Sequence, residues 1–365
     1  MNEWPKRTLG DLVELQRGHD LPAQDRKPGS VPIIGSFGVT GTHDKAKYFG
    51  PGVAIGRSGA SIGKATFVDE PYWPLNTCLF VKSFNGNEPR WIYRLLDGID
   101  FAAFNSGSAQ PSLNRNFLRN IPVSVPPPHE QRAIAEVLGA LDDKIASNAK
   151  LAATAEELIS VHFQRAIESE GTTPRSLFEA IDIDFGEPFK GSEFSDPGTG
   201  RPLIRIRDLK TFTSQVWTTE NRSREILIQP GDVVVGMDAE FRPTSWLGEP
   251  GLLNQRVCRA RGKSVGPAFV RETLRAPLRR IENSKSATTV IHLNKKDLEE
   301  AEVLMPASER LTLFETAVEA LYSLRVSIAV ENRSLAATRG ALLPQLMSGQ
   351  LRVKEAQKVL EVAGV

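Results

Sequence analysis

The stretch EQRAIAEVLGALDDKIASNAKLAATAEELISVHFQRAI, residues 130–167, decides the architecture of this 365-residue chain. It contains no proline and a single glycine, Gly139, so it favours one uninterrupted helix. Apolar or seam residues recur in it at alternating steps of four and three: Ile134, Leu138, Leu141, Ile145, Asn148, Ala152, Ala155 and Ile159. A heptad pattern of this length is typical of coiled-coil packing, and at ~1.5 Å per residue the helix would be roughly 57 Å long.

A second helical segment near the end of the chain carries a similar but less regular seam. Its positions are Leu311, Phe314, Val318, Leu321, Arg325, Ile328, Asn332, Leu335, Arg339 and Leu342. Pro344 is expected to kink or end this helix, and Gly349 fits a C-terminal stop. We expect the two helices to pack against each other in antiparallel orientation.

Each of the two helices has one asparagine on its seam, Asn148 in the first and Asn332 in the second. A buried asparagine lowers coiled-coil stability but fixes the register, because a slipped register leaves its amide without a partner. The hypothesis is that this pair sets the alignment of the helices. The alternative is that both are partly exposed polar residues near the rim of the seam.

The two halves of the chain match each other at an offset close to 180 residues. The paired positions are Pro51 with Pro230, Glu70 with Glu249, Asn76 with Asn254, Cys78 with Cys258, and Asn114 with Asn294. Their common order and near-constant offset indicate an internal duplication.

These patterns predict an α+β fold with an internal pseudo-two-fold repeat. Two β-rich domains, residues 1–127 and 171–305, hold the Gly, Pro and short β-branched runs. They would be separated by two long antiparallel coiled-coil helices, residues 128–170 and 306–349. Residues 350–365 would form a C-terminal tail.

A glycine-rich loop, GRSGASIGKATF at residues 56–67, resembles a phosphate-binding loop only in part. The pattern G-x-x-x-x-G-K-[ST] requires glycine and a hydroxyl where this chain has Ser58 and Ala65. The residues after Lys64 favour a strand, whereas a phosphate loop must open a helix. A hairpin between strands at residues 53–55 and 65–68 is the better interpretation.

The bulk composition is typical of a soluble globular protein, with 40% hydrophobic and 24% charged residues. No apolar run approaches the ~18–20 residues that span a bilayer, and the N-terminus lacks the apolar stretch of a signal peptide. Two cysteines and five histidines show neither a disulfide framework nor zinc-type spacing. We therefore expect a cytoplasmic protein with no membrane association and no bound metal.

Basic residues are concentrated in the second half of the chain, although the net charge is only +1. Residues 201–224 hold six basic and two acidic side chains, and residues 256–285 hold nine and two. Clustered arginine suits bidentate contact with phosphate or guanine. The alternative is an ordinary solvated face.

Taken together, the chain resembles the specificity subunit of type I restriction–modification systems over essentially its whole length. The motifs that carry the resemblance are WPKRTLGDL (residues 4–12), GRSGASIGKATF (56–67), SGSAQPSLN (106–114), IPVSVPPPHEQRAIAEVLGALDDKI (121–145) and ALLPQLMSGQLRV (341–353). One departure is that the second helix lacks the Glu-Gln pair of residues 130–131, so the two helices are not expected to be equivalent in docking.

The resemblance implies a DNA-recognition subunit without catalytic activity. Each β-rich domain would be a target-recognition domain that reads one half of a bipartite, asymmetric site in double-stranded DNA. The helices would set the spacer and dock two modification (methyltransferase) subunits, and restriction/translocase subunits would join for cleavage. S-adenosylmethionine, ATP and Mg would be bound only by those partners, and the tail would return to the first domain.

Two other functions stay open. One is the specificity subunit of a combined restriction-and-methylation (type IIB-like) system with the same layout. The other is a coiled-coil adaptor that binds no DNA.

The candidate DNA-contacting residues lie in the two corresponding hairpins and in nearby polar segments. They are Arg57, Ser58, Ser61 and Lys64 in the first hairpin, Gln110 and Asn114 after it, Arg205, Arg207, Arg222 and Arg224 in the second domain, and Asp238 and Arg242 in the second hairpin. The second hairpin, GMDAEFRPTSW at residues 236–246, differs in chemistry from the first, as two unlike half-sites would require. The alternative is that both are merely variable surface loops.

Overall fold

The computed structural model describes residues 4–104, 113–285 and 291–363. The chain divides into two compact units, one of Met1–Lys144 with Leu335–Val365 and one of Ile145–Ser334. Each unit combines a β-rich domain with a segment of both long helices, because the boundary between the units falls inside those helices.

The β-rich part of the first unit is built from short strands and short helices. The strands are β1 (Lys6–Thr8), β2 (Glu14–Arg17), β3 (Val31–Gly35), β4 (Gly38–His43), β5 (Gly52–Gly56), β6 (Ala65–Val68), β7 (Trp73–Pro74), β8 (Cys78–Ser83) and β9 (Pro122–Ser124). The helices are α1 (Leu9–Leu12), α2 (Pro89–Asp97), α3 (Arg115–Leu118) and the long α4 (Pro128–Ile167). The strand orders in the sheets are β1-β9, β2-β8-β5-β6 and β4-β3-β7.

The second unit has a similar set of elements. Its strands are β10 (Thr173–Ser176), β11 (Ile181–Phe185), β12 (Phe194–Ser195), β13 (Arg201–Ile204), β14 (Trp217–Thr218), β15 (Leu227–Ile228), β16 (Val233–Gly236), β17 (Pro243–Ser245), β18 (Gly251–Leu253), β19 (Val257–Gly262) and β20 (Glu302–Met305). The remaining helices are α5 (Leu177–Ala180), α6 (Pro267–Lys285), α7 (Lys295–Glu299), the long α8 (Ser308–Ser348) and α9 (Val353–Ala363), the last of which belongs to the first unit. The sheets have the orders β10-β20, β11-β19-β16-β17 and β12-β14-β13-β18-β15.

The two β-rich domains share one plan, which confirms the predicted internal repeat and the α+β class. The four-stranded sheets β2-β8-β5-β6 and β11-β19-β16-β17 place corresponding strands in the same order. Single hydrogen bonds recur as well: the Leu113 N–H donates to the Arg57 carbonyl at 2.9 Å, and the Leu293 N–H donates to the Met237 carbonyl at 2.8 Å. Residues 180 positions apart therefore do the same structural work.

Both cysteines are buried on corresponding central strands, but the predicted match between them is one residue off, because Gly56 pairs with Cys78 whereas the equivalent Gly236 pairs with Val257. Cys78 on β8 pairs with Gly56, and Cys258 on β19 pairs with Val235. Burial raises the pKa of each thiol to about 12. A thiol held neutral in this way is a packing group rather than a nucleophile.

Most of the heptad seam of α4 is buried as predicted, with Ile145 and Ala152 half-buried, and in the second unit the seam packs on α8. Ile159 of α4 and Val318 of α8 lie in one apolar cluster of the second unit. Asn148 lies opposite Asn332 and Glu156 opposite Arg325, so residue numbers rise along one helix as they fall along the other. This confirms antiparallel packing within that unit. In the described part of the chain, no helix is both long enough and apolar enough to cross a membrane.

Pro344 was expected to kink or end the second helix. It does not end the helix, because α8 continues to Ser348. Proline removes one N–H and crowds the carbonyl four residues earlier, but Pro344 is exposed and lies close to the end of α8, so only a short helical segment follows it. The helix ends instead at Gly349, whose φ of 72° provides the left-handed turn that was expected of it.

Gln131 of the Glu-Gln pair binds the backbone just before α2, and Glu315 of the second long helix makes the corresponding contact just before α6. The Gln131 side chain is buried, accepts a hydrogen bond from the Glu88 N–H at 3.0 Å just before α2, and donates to Asn87 at 2.9 Å. In the second unit, Glu315 of α8 accepts a hydrogen bond from the Gly266 N–H at 2.7 Å just before α6. Burial raises the pKa of Glu315 above its ordinary value. The missing pair is thus replaced in its local packing role by a carboxyl group.

The two seam asparagines are in direct contact. The Asn148 Nδ2 donates to Asn332 Oδ1 and to a carboxylate oxygen of Glu331, both at 2.9 Å. Asn148 is only 6% exposed, which excludes the rim position for this residue. The register role itself stays a prediction.

Replacing both seam asparagines by leucine is expected to raise the free energy of unfolding by about 1 kcal/mol, because a polar pair in an apolar seam gives way to buried methyl groups. Unfolding should become less cooperative, since the leucines accept more than one alignment. Urea titration of the full chain measures both effects. Ser147→Leu, an exposed position one residue away, is the control. A double variant no more stable than the natural chain would argue against the register role.

Candidate nucleic-acid interface

The first glycine-rich stretch is a β-hairpin, as predicted. Strands β5 and β6 pair with Ile55 opposite Ala65, and the Gly63 N–H donates to the Gly56 carbonyl at 2.9 Å across the base of the loop. Gly63 has a φ of 75°, and a Cβ there would lie 2.5 Å from the ring of Phe101. Since the chain continues from Lys64 into a strand, no helix N-terminus is available here to hold a nucleotide phosphate.

The four candidate residues of this hairpin have different surroundings. Lys64 is exposed, and Arg57 and Ser58 are half-buried. Within the described residues, neither Arg57 nor Lys64 forms an ion pair. Ser61 is only 1% exposed, and its hydroxyl donates to the Ser58 carbonyl at 3.2 Å. Ser61 therefore holds the loop together, which leaves Arg57, Ser58 and Lys64 as the groups that can reach a ligand.

The next two candidate residues are Asn114 and Gln110. Asn114 caps α3, because its Oδ1 accepts a hydrogen bond from the Asn116 N–H at 3.0 Å. Its amide nitrogen stays available as a donor. Gln110 lies outside the described residues.

The second hairpin, formed by β16 and β17, carries a more tightly anchored loop. The Asp238 carboxylate lies 2.5 Å from His292 Nδ1 and 3.7 Å from a guanidinium nitrogen of Arg256. Arg242 is 76% exposed, and its Nε lies 3.5 Å from Glu240. Asp238 is thus engaged within the domain, whereas Arg242 projects from it.

Two of the four candidate arginines in residues 201–224 are held by neighbouring carboxylates. Arg205 Nε lies 3.7 Å from Asp208, and Arg222 lies 2.9 Å from Glu220. Arg207 and Arg224 are exposed and form no ion pair in the part of the chain that the structure describes. The latter two are the better placed to contact an anionic ligand.

An ion pair that the sequence did not indicate fixes the loop before β15. Both terminal nitrogens of Arg201 donate to the Glu225 carboxylate, at 2.5 and 2.9 Å. These bonds, together with one from the Arg222 backbone N–H, lower the pKa of Glu225 to about 2. Arg201 is therefore a structural residue, and the segment that carries Arg222 and Arg224 is held in place by it.

A carboxylate of α4 lies between arginines in each unit. In the first unit, Asp142 accepts hydrogen bonds from Arg94 of α2 and from Arg339 of α8. In the second unit, Glu156 pairs with Arg271 of α6 at 2.6 Å and with Arg325 of α8 at 3.0 Å. These arrangements tie a helix of each β-rich domain to both long helices. They also explain why arginine occupies two positions of the less regular α8 seam.

The Glu156 cluster has a strong local field. Burial acts to raise the pKa of Glu156, but the guanidinium groups of Arg271, Arg325 and Arg275 outweigh it and hold that pKa below its ordinary value. Arg325 lies in the same field, where burial and the charge of Arg271 lower its pKa. The cluster is therefore ionised at neutral pH and carries more positive than negative charge.

Across the described ranges, no group of three or more His, Cys, Asp or Glu side chains is arranged so that it could hold a metal ion. The chemistry that the described candidate residues can perform is recognition, through guanidinium, ammonium, hydroxyl and amide groups.

The described β-rich domains and long helices share their fold with a type I specificity subunit. The structure is similar to that of the S subunit of the type I restriction–modification system from M. genitalium, with a TM-score of 0.69, 17% sequence identity, and coverage of 94% of this chain and 96% of that chain. Residues 1–157 match the family model of the type I restriction modification DNA specificity domain.

Two curated relatives are similar in sequence. The chain is 31% identical over 156 residues to the EcoBI specificity subunit of Escherichia coli, a match covering 42% of this chain and 33% of that protein. It is 24% identical over 302 residues to the MjaIX specificity subunit of Methanocaldococcus jannaschii, covering 69% of this chain and 65% of that protein. The matched region thus spans about a third of the first relative and just under two thirds of the second. The match of residues 1–157 to the DNA specificity domain model, together with these relatives, confirms the resemblance expected from the sequence.

Proposed function

We propose that this chain is the sequence-reading subunit of a type I restriction–modification complex and binds a bipartite, asymmetric site in double-stranded DNA. The observation that carries the proposal is that the two β-rich domains have the same sheet order, whereas the loops of their corresponding hairpins carry different side chains. The hairpins β5–β6 and β16–β17 occupy equivalent places in equivalent sheets. The first loop presents Arg57 and Lys64, and the second presents Arg242 beside an engaged Asp238.

Unlike loops on like scaffolds suit two unlike half-sites. The scaffold sets where each loop meets the duplex, and the loop residues select the base pairs. Most lysine and arginine contacts go to phosphates and position the protein, while a few read base edges. Arg57, Ser58, Lys64, Asn114, Arg207, Arg224 and Arg242 stay the predicted contact residues on this basis, and Gln110 stays a prediction that lies outside the described residues.

The catalytic steps are assigned to partner subunits. Two modification subunits would dock on the long helices and methylate adenine, and restriction/translocase subunits would cleave. In the second unit α4 exposes Leu151, Leu158 and Val161, and α8 exposes Leu313 and Val330. Exposed apolar side chains on helices support a protein-docking role. S-adenosylmethionine, ATP and Mg would enter with the partners, and the cytoplasmic location stays a prediction.

A combined restriction-and-methylation system would use the same recognition chain, and the neighbouring genes distinguish it. A coiled-coil adaptor that binds no DNA is the less favoured alternative. It predicts no salt-dependent binding to duplex DNA, whereas a recognition subunit alone should bind weakly and lose affinity steeply as salt rises.

The test is co-expression of the full chain with its methyltransferase partner in a host that lacks other adenine methylation, followed by mapping of N6-methyladenine. We expect a single bipartite motif, with two short specified parts around an unspecified spacer of constant length. Expression of the methyltransferase without this chain is the control and should leave the motif unmethylated. Methylation of a continuous motif, or of the same sites without this chain, would overturn the proposal.

A further inference from the structure

A cavity of about 480 Å³ in the second unit has five arginine side chains among its twelve lining residues. It lies beside the loop that precedes β17, next to α6, α4 and α8. The lining residues that matter here are Arg242, Arg271, Arg275, Arg279, Arg325 and Glu156. None of the proposed reading residues except Arg242 belongs to this group, so the cavity extends beyond the hairpin.

Positive charge exceeds negative charge around the cavity. Five guanidinium groups face the carboxylates of Glu156 and Glu282, with Glu272 adjacent to Arg271 and Arg275. The Glu282 carboxylate also accepts a hydrogen bond from the Phe241 N–H at 2.9 Å. The internal acids therefore do not neutralise the arginines.

Two of the buried guanidinium groups keep an unused donor. Arg271 is 3% exposed; its terminal nitrogens pair with Glu156 and Glu272, but its Nε has no acceptor among the described atoms. The Nη1 of Arg325 is likewise without an acceptor there. A buried donor left unpaired is destabilising, so an acceptor that entered the cavity would stabilise the protein.

Two exposed arginines of the cavity, Arg242 and Arg279, have few ion-pair and hydrogen-bond partners among the described residues. Arg279 forms no ion pair or hydrogen bond within the described residues. Arg242 has only Glu240, at 3.5 Å, and Glu240 also lies 3.7 Å from Lys210. Both side chains are free to turn toward an anion.

We propose that this cavity binds a phosphate group, supplied by the DNA backbone beside the half-site that the second domain reads. Phosphate matches the planar, bidentate donors of arginine, and Arg242 joins the cavity to the proposed reading loop. The inference rests on the proposed function, because it takes the ligand to be DNA. Free inorganic phosphate has the same chemistry and is the alternative source.

The experiment measures the binding of the full chain to a duplex at a series of salt concentrations. Arg279→Ala and Arg242→Ala each remove one exposed arginine of the cavity. Arg280→Ala is the matched control, because it removes the same charge from the next position of α6, outside the cavity. Thermal unfolding checks that all three variants fold. A second arm adds inorganic phosphate and follows the melting temperature.

We expect Arg279→Ala and Arg242→Ala each to lower the slope of log affinity against log salt by about 0.9, the value of one lost phosphate contact. Over a roughly fourfold rise in salt, each variant would then lose about threefold less affinity than the natural chain. Arg280→Ala should keep the natural slope.

Other results separate the possible failures. If the natural chain has a clear slope and all three variants share it, the cavity does not hold a DNA phosphate although DNA binding stands. If inorganic phosphate raises the melting temperature of the natural chain but not of Arg279→Ala, while the DNA slopes are equal, the ligand is free phosphate and the DNA assignment is overturned. A natural chain with no salt-dependent binding overturns the proposed function itself, and this inference with it.

Discussion

Replacing Glu156 by alanine is expected to destabilise the second unit by about 3 kcal/mol, a large part of the stability of an ordinary domain. Glu156 is the carboxylate that Arg271 and Arg325 share, and those side chains are only 3% and 12% exposed. Removal of the shared acid leaves two buried positive charges close together. Because Glu156 itself is 31% exposed, water can reach the gap, and we place the loss at the lower end of the range for broken buried pairs.

The neighbouring Glu157→Ala variant is the control for this prediction, since it removes the same charge one position along α4 from an exposed site. It should change the free energy of unfolding by no more than about 0.5 kcal/mol. Urea unfolding of the full chain measures both variants. Equal stabilities would show that the arginines are solvated without Glu156 and that the cluster does not hold α6 on the long helices.

A third variant separates stability from orientation. Joint replacement of Glu156, Arg271 and Arg325 by apolar residues of similar size is expected to be neutral or stabilising, because the buried Glu272 that remains keeps its ion pair with Arg275 at 3.0 Å. If the cluster orients the second domain on the helices, or donates to a DNA phosphate in the cavity, this variant should remain folded yet bind the DNA motif more weakly. Retained affinity would assign the cluster to packing alone.

The elements that the sequence predicted well are those set by local periodicity. The seam of α4 repeats over many turns, and each buried position, such as Leu141 or Ile159, follows from the one before it. The duplication was also readable, because equivalent residues such as Leu113 and Leu293 make the same backbone hydrogen bond in both domains. Many residues indicate the seam, and many indicate the duplication, so a few residues that break either pattern do not hide it.

The features that sequence reasoning missed depend on one partner far along the chain. Arg325 and Arg339 looked like irregularities in a seam, because nothing near them in sequence identifies Glu156 and Asp142 as their partners. Asp238 was a candidate reader whose carboxylate is engaged by His292, 54 positions away. Each outcome depends on a single tertiary contact, for which composition and spacing hold no signal.

Exchange of residues 1–127 for the corresponding domain of another specificity subunit is expected to change one half of the methylated motif completely and to leave the other half intact. The reason is that the strands β1 to β9 all lie within the exchanged piece and pair only with one another in the described part of the chain. The piece ends where α4 begins, at Pro128. The reading loops of the second domain, residues 237–242 among them, stay untouched.

The exchange succeeds only if the new domain keeps the contacts that seat the first domain on α4. These are the hydrogen bond from the Trp4 indole to Glu130 at 3.2 Å, those between Gln131 and the segment of Asn87 and Glu88, and the pairing of Arg94 with Asp142. A donor domain with tryptophan, asparagine and arginine at these places is therefore the one to use. A donor that lacks the arginine serves as the comparison, and it should give a misfolded or inactive chain because Asp142 and Arg339 lose their third partner.

The reciprocal exchange of residues 171–305 provides the control, since it should alter the other half of the motif and preserve the first. Mapping of N6-methyladenine reads both halves at once, so each chimaera is its own internal standard. Chimaeras that fold but change both halves together would mean that a single composite surface reads the DNA. The equivalence of the two hairpins would then reflect common ancestry alone, without independent recognition by each domain.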